Sequence, residues 1–148
     1  MLLNDPEDPV FLDLDQFFRE LGHNLVDLAL RSKNGNTSVH VVLHYPADLG
    51  IAELAKAHRL LIPRLENLLK TDELSVEVGS PGLQRNLKFK RELGFFLGKK
   101  IRLYLTGAAD WEEGLLTAFD GETATFETKA GPRQVAVSDI HKAKLHDL

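Results

Sequence analysis

The stretch SVEVGSPGLQRNLKFKRELG, from Ser75 to Gly94, joins a strand-like alternation to a cluster of cations through Gly79, Ser80, Pro81 and Gly82. Three devices use a turn of that composition: a phosphate-binding loop, a nucleophile turn, or a rigid elbow between folded units. A phosphate loop needs Gly-x4-Gly-Lys-Ser/Thr after a strand, because the loop amides and the lysine must surround the phosphates together. GSPGLQRN lacks the Lys-Ser/Thr pair, and GFFLGKK has three residues between its glycines with no hydroxyl after the lysine. A nucleophile turn needs Gly-x-Ser-x-Gly, whereas the order here is Gly79-Ser80-Pro81-Gly82. An elbow fits better. Pro81 biases Ser80 towards extended backbone, Pro81-Gly82 favours a tight turn, and Gly79 is expected to permit close backbone approach.

Beyond the turn, Arg85, Lys88, Lys90, Arg91, Lys99, Lys100 and Arg102 stand against a single anion, Glu92. The chain carries a net charge of -4, but Met1 to Ser80 holds 7 basic and 13 acidic residues, and Pro81 to Leu148 holds 11 basic and 9 acidic. A local cationic cluster in an acidic protein is either a phosphate-facing patch or a solvated surface, and charge alone leaves both readings open.

The remaining titratable groups suggest no catalytic, metal or cofactor site. With no cysteine, disulfides, thiolate metal sites and cysteine nucleophiles are excluded, in keeping with a reducing compartment. His40 and His44 share a strand face but stand about 13 Å apart at strand rise, too far to grip one ion. His58 falls on the apolar stripe of a helix, where a packed, hydrogen-bonded histidine is expected, and His23, His141 and His146 are isolated. The carboxylate pairs Asp13/Asp15 and Glu112/Glu113 are expected on solvated surfaces.

The elements that position these groups follow from periodicity. Val10, Phe11, Leu14, Phe17, Phe18 and Leu21 have helical spacing, which predicts an amphipathic helix over about residues 9 to 21 with Gly22 as its stop. NLVDLALRS and TSVHVVLHY alternate as strands around Asn34-Gly35, a hairpin signal. Leu54, His58, Leu61, Leu65 and Leu68 form a second helical stripe, with Asp48 as a candidate N-cap and a kink expected at Pro63. ELSVEVG supplies a third strand, giving α-β-β-α-β with two helices on one side of a small sheet. After a short helical segment in FKRELGFFLG come KKIRLYL, WEEGLLTAF, TATFETK, RQVAVS and AKLHDL, with a single helical turn at Ser138 to His141. Short strands at a spacing of about 10 residues predict a small antiparallel barrel of the SH3-like or Sm-like kind.

The fold class is therefore α+β in two domains: an α/β domain over 1–80, an elbow and short helical connector over 81–98, and a barrel over 99–148. Phe95, Phe96 and Trp111 are candidates either for base stacking or for core packing, with Trp111 expected to cover the barrel edge. No apolar run approaches the roughly 20 residues of a membrane span, and MLLNDPEDPV lacks the features of a signal peptide, so a cytoplasmic location is expected.

EVGSPGLQRNL, from Glu77 to Leu87, resembles the Glu-Val-Ser-Ser-Pro-Gly-Leu-Asp-Arg-Pro-Leu segment of the bacterial ribosome maturation factor RimP family. LGHNLVDLAL, WEEGLLTAFDGETATF and VAVSDIHKAKL follow the family's order, so the resemblance covers nearly the whole chain. Gly79, Gln84 and Asn86 depart from the usual serine, aspartate and proline. The missing proline is expected to loosen the exit of the elbow, and the missing aspartate removes a possible partner for Arg85. The strand end VVLHYPAD also differs from the family's usual acidic turn.

The resemblance implies a non-enzymatic assembly factor that binds the immature small ribosomal subunit and helps the decoding-region protein uS12 to dock. It implies no cofactor, ribosomal RNA and uS12 as partners, and no membrane; a monomer is expected. The seven cations from Arg85 to Arg102 would face RNA. The alternative is a free-standing RNA-binding regulator using the Sm-like barrel, which predicts single-stranded RNA binding without ribosomes and a ring oligomer.

Overall fold

A computed structural model of the chain describes residues 1–44 and 50–146. The candidate cap Asp48, the strand end at Tyr45 and the terminal Asp147 and Leu148 lie outside the described residues. The chain divides into two compact units, one formed by Glu7–Pro81 and the other by Met1–Pro6 with Gly82–Leu148.

In the first unit, Asp8 caps α1 (Pro9–Glu20) by accepting a hydrogen bond from the Val10 amide at 2.8 Å. Pro9 follows, where its missing amide costs nothing. β1 (Asn24–Lys33) and β2 (Asn36–His44) pair antiparallel, and the turn between them has φ of 52° at Asn34 and 81° at Gly35. Two successive left-handed residues make the primed turn that matches strand twist, as the Asn-Gly pair predicts. α2 (Ile51–Leu69) then leads to β3 (Leu74–Gly79), which lies parallel to β2 and gives the sheet order β1-β2-β3.

Phe11, Leu14 and Phe18 of α1 join Ala57, Leu61 and Leu65 of α2 over Leu25, Val39, Val41 and Leu43 of the sheet. Since Val39, Val41 and Leu43 share one face of β2, both helices lie on the same side of the sheet. Pro63 does not break α2, which runs unbroken from Ile51 to Leu69. A proline inside a helix costs about 3 kcal/mol, but Leu61 and Leu65 are fully buried on either side of it, each worth about 1.5–3 kcal/mol. Keeping one continuous stripe wins.

The second unit contains α3 (Glu92–Phe95), β4 (Lys100–Leu105), β5 (Glu112–Phe119), β6 (Thr123–Thr128), β7 (Gly131–Ala136) and β8 (Ile140–Leu145). A 3-10 turn over Val137–Asp139 precedes β8, near the single helical turn expected there. Leu93, Phe96, Ile101, Leu116, Phe126 and Ile140 centre its core, which Leu2 joins from the chain start. Leu3 is held by its amide on the Lys88 carbonyl and by the Lys90 amide on its own carbonyl, each at 2.9 Å.

The strands form one sheet in the order β7-β6-β5-β4-β8. The closed barrel expected from strand spacing is not formed, because no ladder joins β7 to β8 among the described residues. The free edge of β8 is taken instead by Arg85 to Leu87. The Leu145 amide donates to the Arg85 carbonyl at 2.8 Å, and the Leu87 amide to the Ala143 carbonyl at 2.9 Å.

Candidate nucleic-acid interface

The segment after the elbow is organised by one buried carboxylate. Glu92 is fully buried at the start of α3; its Oε1 accepts from Arg85 Nε at 2.6 Å, and its Oε2 accepts from the Lys88 and Phe89 amides at 2.7 and 2.8 Å. Burying a charge costs several kcal/mol unless it is paired and hydrogen-bonded, and three donors meet that requirement. The lone anion of the cationic run is thus the group that shapes it. Arg85, whose side chain is only 15% exposed, is committed to Glu92 rather than to solvent.

Two expectations about the elbow change accordingly. Arg85 has an acidic partner despite Gln84, because Glu92 supplies it from seven residues away. On either side of Asn86, Arg85 and Leu87 make the two backbone bonds to β8. Asn86 faces Lys144 in an antiparallel bridge that uses no hydrogen bond from its own amide, so the amide that proline would lack is not needed there. Nor does Gly79 mark a close backbone approach: a Cβ there, or at Gly82, meets nothing within 4 Å, and neither has a positive φ.

The seven cations do not share one setting. Lys88 lies over the Phe89 ring at 5.1 Å and Arg91 over the Phe95 ring at 5.2 Å. Lys90 and Arg91 line a groove with Asn4, Asp5, Phe119 and Gly121. Lys99 precedes β4 and is half-buried. Lys100 and Arg102 belong to β4, whose alternate residues Ile101 and Leu103 are buried, so both cations stand on the outer face of the sheet.

That outer face gains two cations that sequence reasoning missed. β8 pairs with β4 so that Lys144 lies opposite Arg102 and Lys142 opposite Tyr104, while Ala143 and Leu145 turn into the core. On its other side Arg102 has Glu113 of β5 as its cross-strand neighbour. Like charges directly opposite in a sheet repel, so Lys144 weakens what Glu113 contributes beside Arg102. Lys100, Lys142 and Lys144 make no ion pair among the described residues.

Aromatic rings border the cations. Arg102 lies over the Trp111 ring at 5.6 Å, Tyr104 meets Trp111 edge-on at 5.5 Å, and His141 meets Tyr104 at 6.1 Å. The Tyr104 hydroxyl donates to the Ala108 carbonyl at 2.9 Å, which fixes its ring. Trp111 and Tyr104 are outside the buried core cluster, whereas Phe96 is buried in it and Phe95 packs against it. Of the three aromatics singled out from sequence, only Trp111 borders the cationic face.

Elsewhere the polar groups have structural partners. His58 Nε2 hydrogen-bonds the Val76 carbonyl at 3.0 Å, the packed state expected from its stripe. The Asp13/Asp15 pair is split: Asp15 is buried and accepts from Arg19 at 2.6 Å, whereas Asp13 lies at the surface as expected and accepts from Arg64 at 2.8 Å. Glu112 pairs with Arg133 at 2.7 Å. Among the described residues no group of three or more His, Asp or Glu side chains is arranged to hold a metal ion.

Fold and face together define an α+β protein in two units, one presenting a basic sheet surface edged by aromatic rings. Residues 14–84 match the RimP N-terminal domain. The chain is 34% identical to the ribosome maturation factor RimP of Borrelia hermsii over 84% of this chain and 85% of that protein. It is 32% identical to the one of Borrelia turicatae, over 85% and 86% respectively. It is 28% identical to the one of Borreliella burgdorferi, over 95% and 96%. The chain belongs to the RimP family of ribosome maturation factors.

Proposed function

We propose that this protein is a non-enzymatic assembly factor that binds the immature small ribosomal subunit and assists docking of uS12. The observation that carries the RNA-binding half of this reading is the outer face of β4 and β8. Arg102 and Lys144 lie side by side there, with Lys100 and Lys142 adjacent along their strands. Phosphates lying across this face would relieve the repulsion between Arg102 and Lys144 and release condensed counterions. Lys88, Lys90, Arg91 and Lys99 extend the positive potential along the same unit, and Arg85 acts on the loop's shape.

The first 80 residues, with 13 acidic and 7 basic side chains, suit a basic ribosomal protein such as uS12 and repel RNA. Gly79 to Gly82 serve as the elbow between an N-terminal α/β domain and an SH3-like or Sm-like barrel left open at one side. No helix of the described residues is long and apolar enough to cross a membrane, and the protein is taken to work as a cytoplasmic monomer.

Sucrose-gradient sedimentation with cell extract tests the reading. The protein is expected to travel with immature small subunits, and to leave them when Arg102, Lys142 and Lys144 are replaced together by alanine. Migration with large subunits, or with neither, would reject it. A ring oligomer carrying RNA free of ribosomes would favour the free-standing regulator.

A further inference from the structure

We infer that the end of the sheet formed by Trp111, Tyr104 and His141 is a stacking platform that selects unpaired over paired RNA. The inference rests on the proposed RNA-binding role of this face and deepens it by naming the class of nucleic acid bound.

The two kinds of group such a site needs occur together. Lys142 and Lys144 alternate along β8, about 6.6 Å apart at strand rise, and both project from the outer face. They form a short track for one backbone. Beside that track, Trp111 is only partly buried, with Arg102 over its ring and Tyr104 packed against it in a T-shaped pair. His141 is exposed at the irregularity where the β4-β8 register shifts between Tyr104 and Leu105. An extra residue in a ladder re-aims a side chain, here placing an exposed ring next to Tyr104.

A core role does not account for these rings. The unit already buries Phe96 and Phe126, and neither Trp111 nor Tyr104 belongs to that cluster. The rings are nonetheless fixed by mutual packing and by the bond from the Tyr104 hydroxyl to Ala108, so little ordering remains when a ligand arrives. Bases in a duplex have both faces covered by their neighbours, whereas an unpaired base offers a free face to an aromatic ring or a guanidinium plane. Arg102 over Trp111 provides both, with the Lys144 charge alongside.

Trp111 is the only tryptophan, so intrinsic fluorescence reads this site directly. The full-length protein is titrated with a single-stranded RNA oligonucleotide and with the matching duplex at equal phosphate concentration. The single strand is expected to quench Trp111 and to bind roughly tenfold tighter or more than the duplex. Trp111→Leu, followed by competition against a labelled strand, is expected to remove that preference, bringing single-strand affinity down to that for the duplex. Lys142→Ala with Lys144→Ala weakens both ligands.

Equal quenching by both ligands, or by polyglutamate, would overturn the stacking platform. So would a Trp111→Leu protein that keeps its preference and its fold by circular dichroism. Sedimentation of the same samples separates the two ideas. Co-sedimentation with immature subunits but no strand preference defeats the platform alone. Strand preference without co-sedimentation defeats the assembly-factor reading alone.

Discussion

Glu92 Oε1 accepts a hydrogen bond from Arg85 Nε at 2.6 Å, joining the first cation after the elbow to the first residue of α3. The other carboxylate oxygen holds the amides of Lys88 and Phe89, so one fully buried side chain closes the loop that carries Lys88, Lys90 and Arg91. Removing one partner of such a pair leaves an uncompensated buried charge, at a cost of about 3–5 kcal/mol. Glu92→Ala is therefore expected to lower the urea midpoint of the second unit sharply, followed by Trp111 fluorescence. Glu92→Gln, which keeps an acceptor for the amides, should fall between it and the parent protein. A midpoint unchanged in Glu92→Ala would mean that the loop is held by other contacts.

Glycine requirements separate two positions that look alike in sequence. A Cβ on Gly114 would sit 2.9 Å from the Phe126 Cβ and 3.4 Å from the Glu127 carbonyl, inside the β5-β6 pair. Gly114→Ala is expected to destabilise the unit by about 1–3 kcal/mol through overpacking. Gly79→Ser, with open space around the new atoms, should stay within about 0.5 kcal/mol of the parent. Denaturant midpoints of the two variants check both statements, and equal losses would contradict them.

His23 gives the first unit a pH dependence. Burial lowers its pKa; Glu53 opposes that shift and Lys56 adds to it. The folded state thus keeps His23 neutral below the pH at which the unfolded chain takes up a proton, about 6.5. Its contribution to stability is complete above that pH and declines as pH falls through and below it. Hydrogen exchange of β2 amides should accelerate more between pH 7.5 and 5.5, after correction for intrinsic rates, than in His23→Asn. Equal pH dependence in the variant would remove His23 as the cause.

Salt dependence distinguishes the cations that face phosphate from those that shape the protein. Each phosphate contact contributes about 0.7–0.9 to the slope of log K against log salt concentration. Lys142→Ala and Lys144→Ala should each reduce the slope for subunit binding by nearly one, with Lys100→Ala similar. Arg85→Met is expected to reduce affinity through the loop without that change of slope. Identical slopes for Lys144→Ala and Arg85→Met would dismiss the distinction.

Local pattern was enough for much of the fold. Helical spacing located α1 and α2, Asn34-Gly35 located the first hairpin, and the α-β-β-α-β order follows from switches between periods of 3.6 and 2. The last strand was legible only in part, since β8 starts at Ile140 and its first residues had looked like turn. The burial of Asp15 is not legible from charge alternation, because its partner Arg19 lies one helical turn along, on the flank of the buried stripe.

What the sequence by itself determined is the composition of each element, the end of β3 at Gly79, and the wealth of cations that follows it; the turn itself closes later than expected, where the Arg85 amide meets the Gly82 carbonyl at 3.3 Å. Those properties depend on residues within a turn or two of one another. Tertiary structure decided which cations share a surface, because Arg102 and Lys144 are 42 positions apart and become neighbours only when β8 pairs with β4. It also decided the role of Glu92, whose burial and three donors come from the path of the loop. Register between distant strands is set by the packing of their inner faces, and the outer face inherits its pattern from that fit.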